Sequence, residues 1–229
     1  MKLYKIRGGT LEELNQKKYT IGVGISLDAK WFNLENILES IKWALPITRD
    51  RVVVYVADSI HAINLEVRKR VSFEKASEMA DKKGNGILRD VKLEIEKKFL
   101  PHEVDKIVYA KWRDIVNESY RDKLIFLRAY YKNNDEFKKK INLMVKGFTL
   151  REERKFSDAD IERFGEYVIE EMPELINRVK MAGYVCDAYM YPFDGDLTRF
   201  IEKVQKGEVF PEIKKNVMDT DQKVFLEVR

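Results

Sequence analysis

The stretch TIGVGISLDAKWF, residues 20–32, decides the fold. From Tyr19 to Ile25 it is a short apolar run punctuated by Gly22 and Gly24, and it ends at Ser26. A run that does not alternate with polar residues reads as a strand covered on both faces, which is the pattern of a parallel sheet. Trp31 and Phe32 follow a few residues on. A hydroxyl just past a buried strand is either the cap of a turn, the commoner case, or a nucleophile at the rim of a sheet.

The pattern repeats outward from that strand. NLENILESIKWALP reads as a helix: Asn33 caps it, Leu34, Ile37, Leu38, Ile41 and Leu45 recur at helical spacing, and Pro46 stops it. RVVVYVADS is a second continuous apolar strand, VDKIVYAKW a weaker third and GYVCDAYMYP a fourth. Helical stretches are expected over 61–98, 114–131, 134–147 and 157–181, and the alternating tail KVFLEVR reads as a final edge strand. Strands that alternate with helices predict an α/β fold in three layers with a mostly parallel sheet. With no linker, repeat or low-complexity tract, residues 1–229 read as one domain.

Composition narrows the class. Charged residues make up 36% and apolar residues 45%, so a globular protein with a charged surface is expected. No stretch approaches the ~20 apolar residues of a membrane span, and the amino-terminal MKLYKIRGGT lacks the apolar core of a secretory signal. A single cysteine, Cys186, excludes an internal disulfide and makes a reducing cytoplasm the default. That cysteine reads as a small core residue rather than a reactive thiol.

Ser26 fits no G-x-S-x-G elbow, because position 28 is Asp. A serine hydrolase also needs a histidine base. The two histidines, His61 and His102, both read as surface or cap residues, so a histidine-assisted triad is not expected. If Ser26 acts, its acyl donor must arrive activated. A second constellation is SDADIERFGEYVIEEMPELI, in which Ser157 and Asp160 form a capping box. Tyr167 and Glu171, four apart, share one helix face beside Val168, and Pro173 follows. They are either a core tyrosine beside a surface acid or a phenol and a carboxylate that grip an ammonium group. A third is the segment 68–98, with ten Lys or Arg against six Asp or Glu. Lys75, Lys82, Arg89 and Lys92 fall near one helical face, while Glu74, Glu78, Glu94 and Glu96 are read as lying largely elsewhere. Such a stripe is a solvated surface or a track for phosphates. GNG at 84–86 is expected to interrupt that helix, and Tyr189 and Tyr191 share a strand face. P-loop, dinucleotide and zinc signatures are absent from the sequence.

Taken together these pieces resemble the cyclodipeptide synthases. Gly24-Ile25-Ser26 followed by Trp31-Phe32 is similar to that family's nucleophile segment, with Trp31 where the family usually has Tyr. Tyr167, Glu171 and Pro173 match its second motif, and Tyr191 its later tyrosine. With Ala29, Tyr191 and Pro192 the chain resembles the subgroup that has a variable residue, Tyr and Pro at three diagnostic positions.

The resemblance implies a single Rossmann-like domain similar to the catalytic domain of class I tyrosyl- and tryptophanyl-tRNA synthetases. It implies two aminoacyl-tRNAs as substrates, no ATP and no metal, and a monomer. By the same resemblance Ser26 takes the aminoacyl group, Gly24 leaves room beside it, Tyr167 and Glu171 hold its amine, and Tyr191 positions the intermediate. Gly22 and Tyr189 would border the first side-chain pocket, and Lys75, Lys82, Arg89 and Lys92 would bind tRNA phosphates. A non-catalytic tRNA-binding protein of the same fold and a small-ester hydrolase are the alternatives. HIGH and KMSKS signatures are missing, which disfavours a synthetase.

Overall fold

The structure is a computed structural model that describes residues 1–229 except 28, 151, 153, 193, 194, 220 and 221. In chain order the elements begin with β1 (Leu3–Arg7), α1 (Leu11–Asn15), β2 (Ile21–Ile25), α2 (Leu34–Ala44), β3 (Val52–Val56), α3 (His61–Lys69) and α4 (Phe73–Lys98). Then come α5 (Pro101–Val104), β4 (Ile107–Lys111), α6 (Glu118–Asn133), α7 (Asp135–Thr149) and α8 (Asp158–Ile176). The chain closes through β5 (Val179–Met181), β6 (Tyr184–Cys186), β7 (Ala188–Pro192), α9 (Asp196–Lys206), α10 (Pro211–Val217) and β8 (Val224–Val228).

Six strands form one sheet in the order β1-β8-β7-β2-β3-β4, parallel throughout except for β1 against β8. Every residue of β2 and β3 is buried, as their unbroken apolar runs require. Helices α2 and α4 cover one face; α6, α7, α8, α9 and α10 cover the other. The chain runs from β2 outward through β3 to β4, then returns to β7 on the other side of β2. Strand order therefore reverses between β2 and β7, and a crevice opens at their carboxyl ends. Among the described residues no helix is long and apolar enough to cross a membrane.

Local chemistry sets the boundaries. Asn33 caps α2 by accepting from Asn36 N at 2.9 Å, as its sequence predicts. The expected single helix over 61–98 is two, because Arg70 turns left-handed (φ 55°) and Ser72 starts α4 by accepting from Lys75 N. The Arg70 guanidinium grips Asp160 at 2.6 and 2.7 Å, which ties this turn to the first turn of α8. That pairing holds the Asp160 carboxyl well below the usual carboxylate range. The helix expected over 157–181 stops at Ile176, and a short hairpin follows it.

Three further expectations are corrected. GYVCDAYMYP is two strands: β6 pairs with β5 in the hairpin, and β7 enters the main sheet. The break falls at Asp187, whose carboxylate accepts from Thr20 N (2.9 Å) and Arg49 (3.0 Å). The tail is no edge strand, for β8 lies buried between β7 and β1. Finally, α4 runs unbroken through GNG. Its two glycines differ in kind. A Cβ on Gly84 would sit 2.6 Å from Asp58 Cβ, so α4 can lie this close to the end of β3 only without a side chain there, whereas a Cβ on Gly86 would meet nothing within 4 Å.

Gly84→Ala is therefore expected to cost about 1–3 kcal/mol through overpacking. Gly86→Ala should add about 0.5–1 kcal/mol by restraining the unfolded chain. Paired denaturant melts check this; equal shifts of the same sign would mean that α4 does not rest on Asp58.

Candidate active site

Ser26 lies immediately beyond β2, at the crevice where strand order reverses. β2 and β3 pair in parallel register, Gly24 beside Tyr55 and Ile25 beside Val56. Their carboxyl ends thus lie level, so the segment leaving β3 stands next to the segment leaving β2. The neighbour this gives Ser26 is His61, the first residue of α3. It is 2% exposed, and its Nε2 lies 3.0 Å from Ser26 Oγ. The expectation of a surface or cap histidine is wrong for this residue, and so is the expectation that Ser26 stands without an imidazole. Nothing local to ADSIHAIN marks His61; the parallel pairing of the two preceding strands is the signal that finds it. His102 is exposed in α5, as expected.

Helix α8 supplies the opposite wall. Tyr167 OH lies 3.5 Å from His61 Nε2, the outer limit of a hydrogen bond, and the two rings are 5.2 Å apart. One turn on, Glu171 faces the same cavity, which holds about 410 Å³ and is lined as well by Ser26, His61, Tyr189 and Tyr191. Ala29, Trp31, Phe32 and Pro192 also reach it, with the Trp31 and Phe32 rings edge to face at 5.1 Å. The four predicted catalytic residues, Ser26, Tyr167, Glu171 and Tyr191, therefore meet in one cavity.

The electrostatics of that cavity centre on α8. Burial, together with the charge of Glu174 three residues on, pushes the Glu171 carboxyl up to about 8, against the pull of Lys223. Glu174 is 1% exposed and accepts from Tyr55 OH at 3.1 Å and from the equally buried Lys223 ammonium. The sequence reading missed this pair. It is enclosed because each charge has its partner, and the Tyr55 hydroxyl adds a further hydrogen bond. Burial also raises the hydroxyls of Tyr189 and Tyr191 above their usual range and pushes the Cys186 thiol up to about 12. Cys186 is thus an un-ionised core residue, in keeping with its reading.

Gly22 and Gly24 play other parts than expected. A Cβ on Gly24 would lie 2.4–2.9 Å from the Tyr189 ring, so that ring occupies the space the glycine leaves. Gly22 sits beneath Tyr55 and Cys186, behind the cavity wall rather than on it. Tyr189 and Tyr191 do share one face, with ring centroids 5.7 Å apart.

Lys75, Lys82, Arg89 and Lys92 are all exposed on α4, outside the cavity. Lys92 lies 4.7 Å from the Tyr109 ring centroid, and Arg89 pairs with Asp90 at 3.1 Å. Glu78 falls three residues from Lys75 and four from Lys82 on the same continuous helix, so the stripe is less uniformly basic than its reading implies. Among the described residues no group of three or more His, Cys, Asp or Glu side chains is placed to hold a metal ion.

By sequence the chain matches no protein-family model and no curated protein. By structure it is similar to several solved proteins. A cyclodipeptide synthase from Bacillus thermoamylovorans superposes with a TM-score of 0.71 at 18% identity, covering 95% of this chain and 92% of that one. A cyclodipeptide synthase from Candidatus Glomeribacter gigasporarum bound to Phe-tRNAPhe gives 0.55 at 16% identity, covering 92% and 88%. A tyrosyl-tRNA synthetase from Archaeoglobus fulgidus complexed with L-tyrosine gives 0.54 at 13% identity; it covers 95% of this chain but only 57% of the synthetase. At these identities what is shared is the fold, a Rossmann-like α/β domain with a mostly parallel sheet.

Proposed function

We propose that the chain is a tRNA-dependent cyclodipeptide synthase, an aminoacyltransferase that joins two aminoacyl groups from two aminoacyl-tRNAs into a 2,5-diketopiperazine. The observation that carries this reading is the meeting of Ser26 with Tyr167 and Glu171 in one cavity, in a chain whose fold matches cyclodipeptide synthases over nearly its full length.

The chemistry comes from what each group can do. An aminoacyl-tRNA is an activated ester, so acyl transfer to Ser26 needs neither ATP nor a metal. Ser26 Oγ attacks the ester carbonyl and the tRNA leaves, with the amino acid now esterified to the enzyme. Glu171 and Tyr167 hold its amine, a charge-assisted contact whenever a carboxylate meets an ammonium group. The freed amine attacks the ester carbonyl of a second aminoacyl-tRNA, whose bond to the ribose oxygen breaks so that the second tRNA leaves, giving a dipeptidyl ester on Ser26. The new terminal amine then closes on that ester and releases the ring, with Tyr191 positioning the intermediate. The exposed cations of α4 serve the tRNA backbone, where phosphate contacts orient without reading bases.

A simple esterase has no use for a carboxyl and three tyrosines around its nucleophile. A non-catalytic tRNA-binding protein has no use for a serine set against a buried imidazole. The test is mass spectrometry of purified protein incubated with a mixture of aminoacyl-tRNAs. A diketopiperazine that forms only with the protein is the expected result, and its absence across all aminoacyl-tRNAs would refute the reading.

A further inference from the structure

We propose that His61 is the base that activates Ser26 and that Asn64 fixes the tautomer in which it does so, making the nucleophile a Ser–His–Asn arrangement. The inference rests on the acyl-transfer reading of the cavity and adds two residues to it.

The geometry carries it. His61 and Asn64 stand three apart on α3, hence on one face. Asn64 is 5% exposed and its amide meets His61 Nδ1 at 3.4 Å, on the far side of the ring from Ser26. With Nδ2 on Nδ1, the amide leaves its own Oδ1 buried without a hydrogen-bond partner. Amide oxygen and nitrogen have the same shape, and buried acceptors are rarely left unpaired. Turning the amide by half a rotation places Oδ1 on Nδ1, which then carries the ring proton. Nε2 is left as an acceptor facing the Ser26 hydroxyl at 3.0 Å, inside the reach a general base needs. An imidazole so fully enclosed, touching the hydroxyl on one side and an amide on the other, obeys the same logic as other nucleophile–base–orienter sets.

The step balances. As Ser26 Oγ bonds to the ester carbonyl carbon, its proton passes to His61 Nε2 and the imidazole becomes a cation. As the carbon–oxygen bond to the ribose breaks, Nε2 returns that proton to the leaving ribose oxygen, and the imidazole is neutral again. Tyr167 OH, at the edge of hydrogen-bond reach of the same Nε2, lines the cavity together with Glu171.

The test measures Ser26 labelling in two ways: single-turnover transfer from radiolabelled aminoacyl-tRNA, and modification by a fluorophosphonate, which reads serine activation without any tRNA. His61→Gln is expected to slow both by about 10²–10⁴-fold. Imidazole added to His61→Ala should restore part of the fluorophosphonate rate. Asn64→Leu should slow both reactions, and Asn64→Asp should recover most of the loss, which a purely structural role would not require. A folded His61→Gln protein that labels at the wild-type rate by both routes overturns the assignment. Equal rates for Asn64→Leu and wild type overturn the role of Asn64. Wild-type protein that takes the fluorophosphonate at Ser26 in a His61-dependent way, yet never takes an aminoacyl group, would refute the acyl-transfer reading and leave the Ser–His pair standing.

Discussion

Ser26→Ala protein incubated with radiolabelled aminoacyl-tRNA carries no covalent label and forms cyclic product at least about 10³-fold more slowly than wild type. The expectation is this large because no neighbour can take the serine's place. Cys186 is buried in the core outside the cavity lining with its thiol un-ionised, and the Tyr189 and Tyr191 hydroxyls are held above their usual range. The fold should survive the change. The contact that Ser26 Oγ makes with His61 is a single hydrogen bond, and losing it costs about 1 kcal/mol. Intact-protein mass spectrometry after a short incubation reads the adduct directly. Full labelling of Ser26→Ala would eliminate the covalent step.

Glu171→Gln gives the opposite pattern: Ser26 still acquires its aminoacyl group, but the first peptide bond forms about 10²–10⁴-fold more slowly, so the singly loaded enzyme accumulates. The reason is proton affinity. Burial and the charge of Glu174 raise this carboxyl from the ordinary carboxylate range toward that of an α-amino group, so it accepts a proton from the amine far more readily than an ordinary carboxylate would. A glutamine can hold the amine but cannot remove its proton. The same shift has a sign in stability. Because the folded protein raises this carboxyl above its unfolded value, its contribution is full below the ordinary carboxylate range and is lost as pH rises toward 8. Thermal melts from pH 5 to 8 should therefore fall less steeply for Glu171→Gln than for wild type. Wild-type dipeptide formation by the variant would remove Glu171 from the chemistry.

Much of the scaffold is readable from local pattern. β2 and β3 are unbroken apolar runs and are buried along their whole length, and the Asn33 cap and the Ser157–Asp160 box are observed where their residues stand. Two of the errors in the strands share a cause, which is that polar side chains here are buried against distant partners. KVFLEVR alternates, yet its Lys223 and Glu227 are both buried: Lys223 meets Glu174, and Glu227 meets Arg7 at 2.6 Å. Alternation signals an edge only when the polar residues face water, and here long-range partners replace water. The expected fourth strand breaks for a similar reason, since Asp187 takes its donors from Thr20 and Arg49, far along the chain. In the site, Ser26, Tyr167 and Glu171 are legible because each lies in a short motif. His61 and Asn64 are not, because their placement beside Ser26 comes from the register of β2 against β3, which no local window contains.

The last strand of the chain occupies an interior slot of the sheet, and the strand beside it carries two of the tyrosines of the cavity. While residues 224–228 are still inside a ribosome's exit tunnel, β7 has an open flank and the crevice has no settled wall. On the proposed function, the strand that carries Tyr189 and Tyr191 therefore gains its second neighbour only after every other strand lining the crevice has been made.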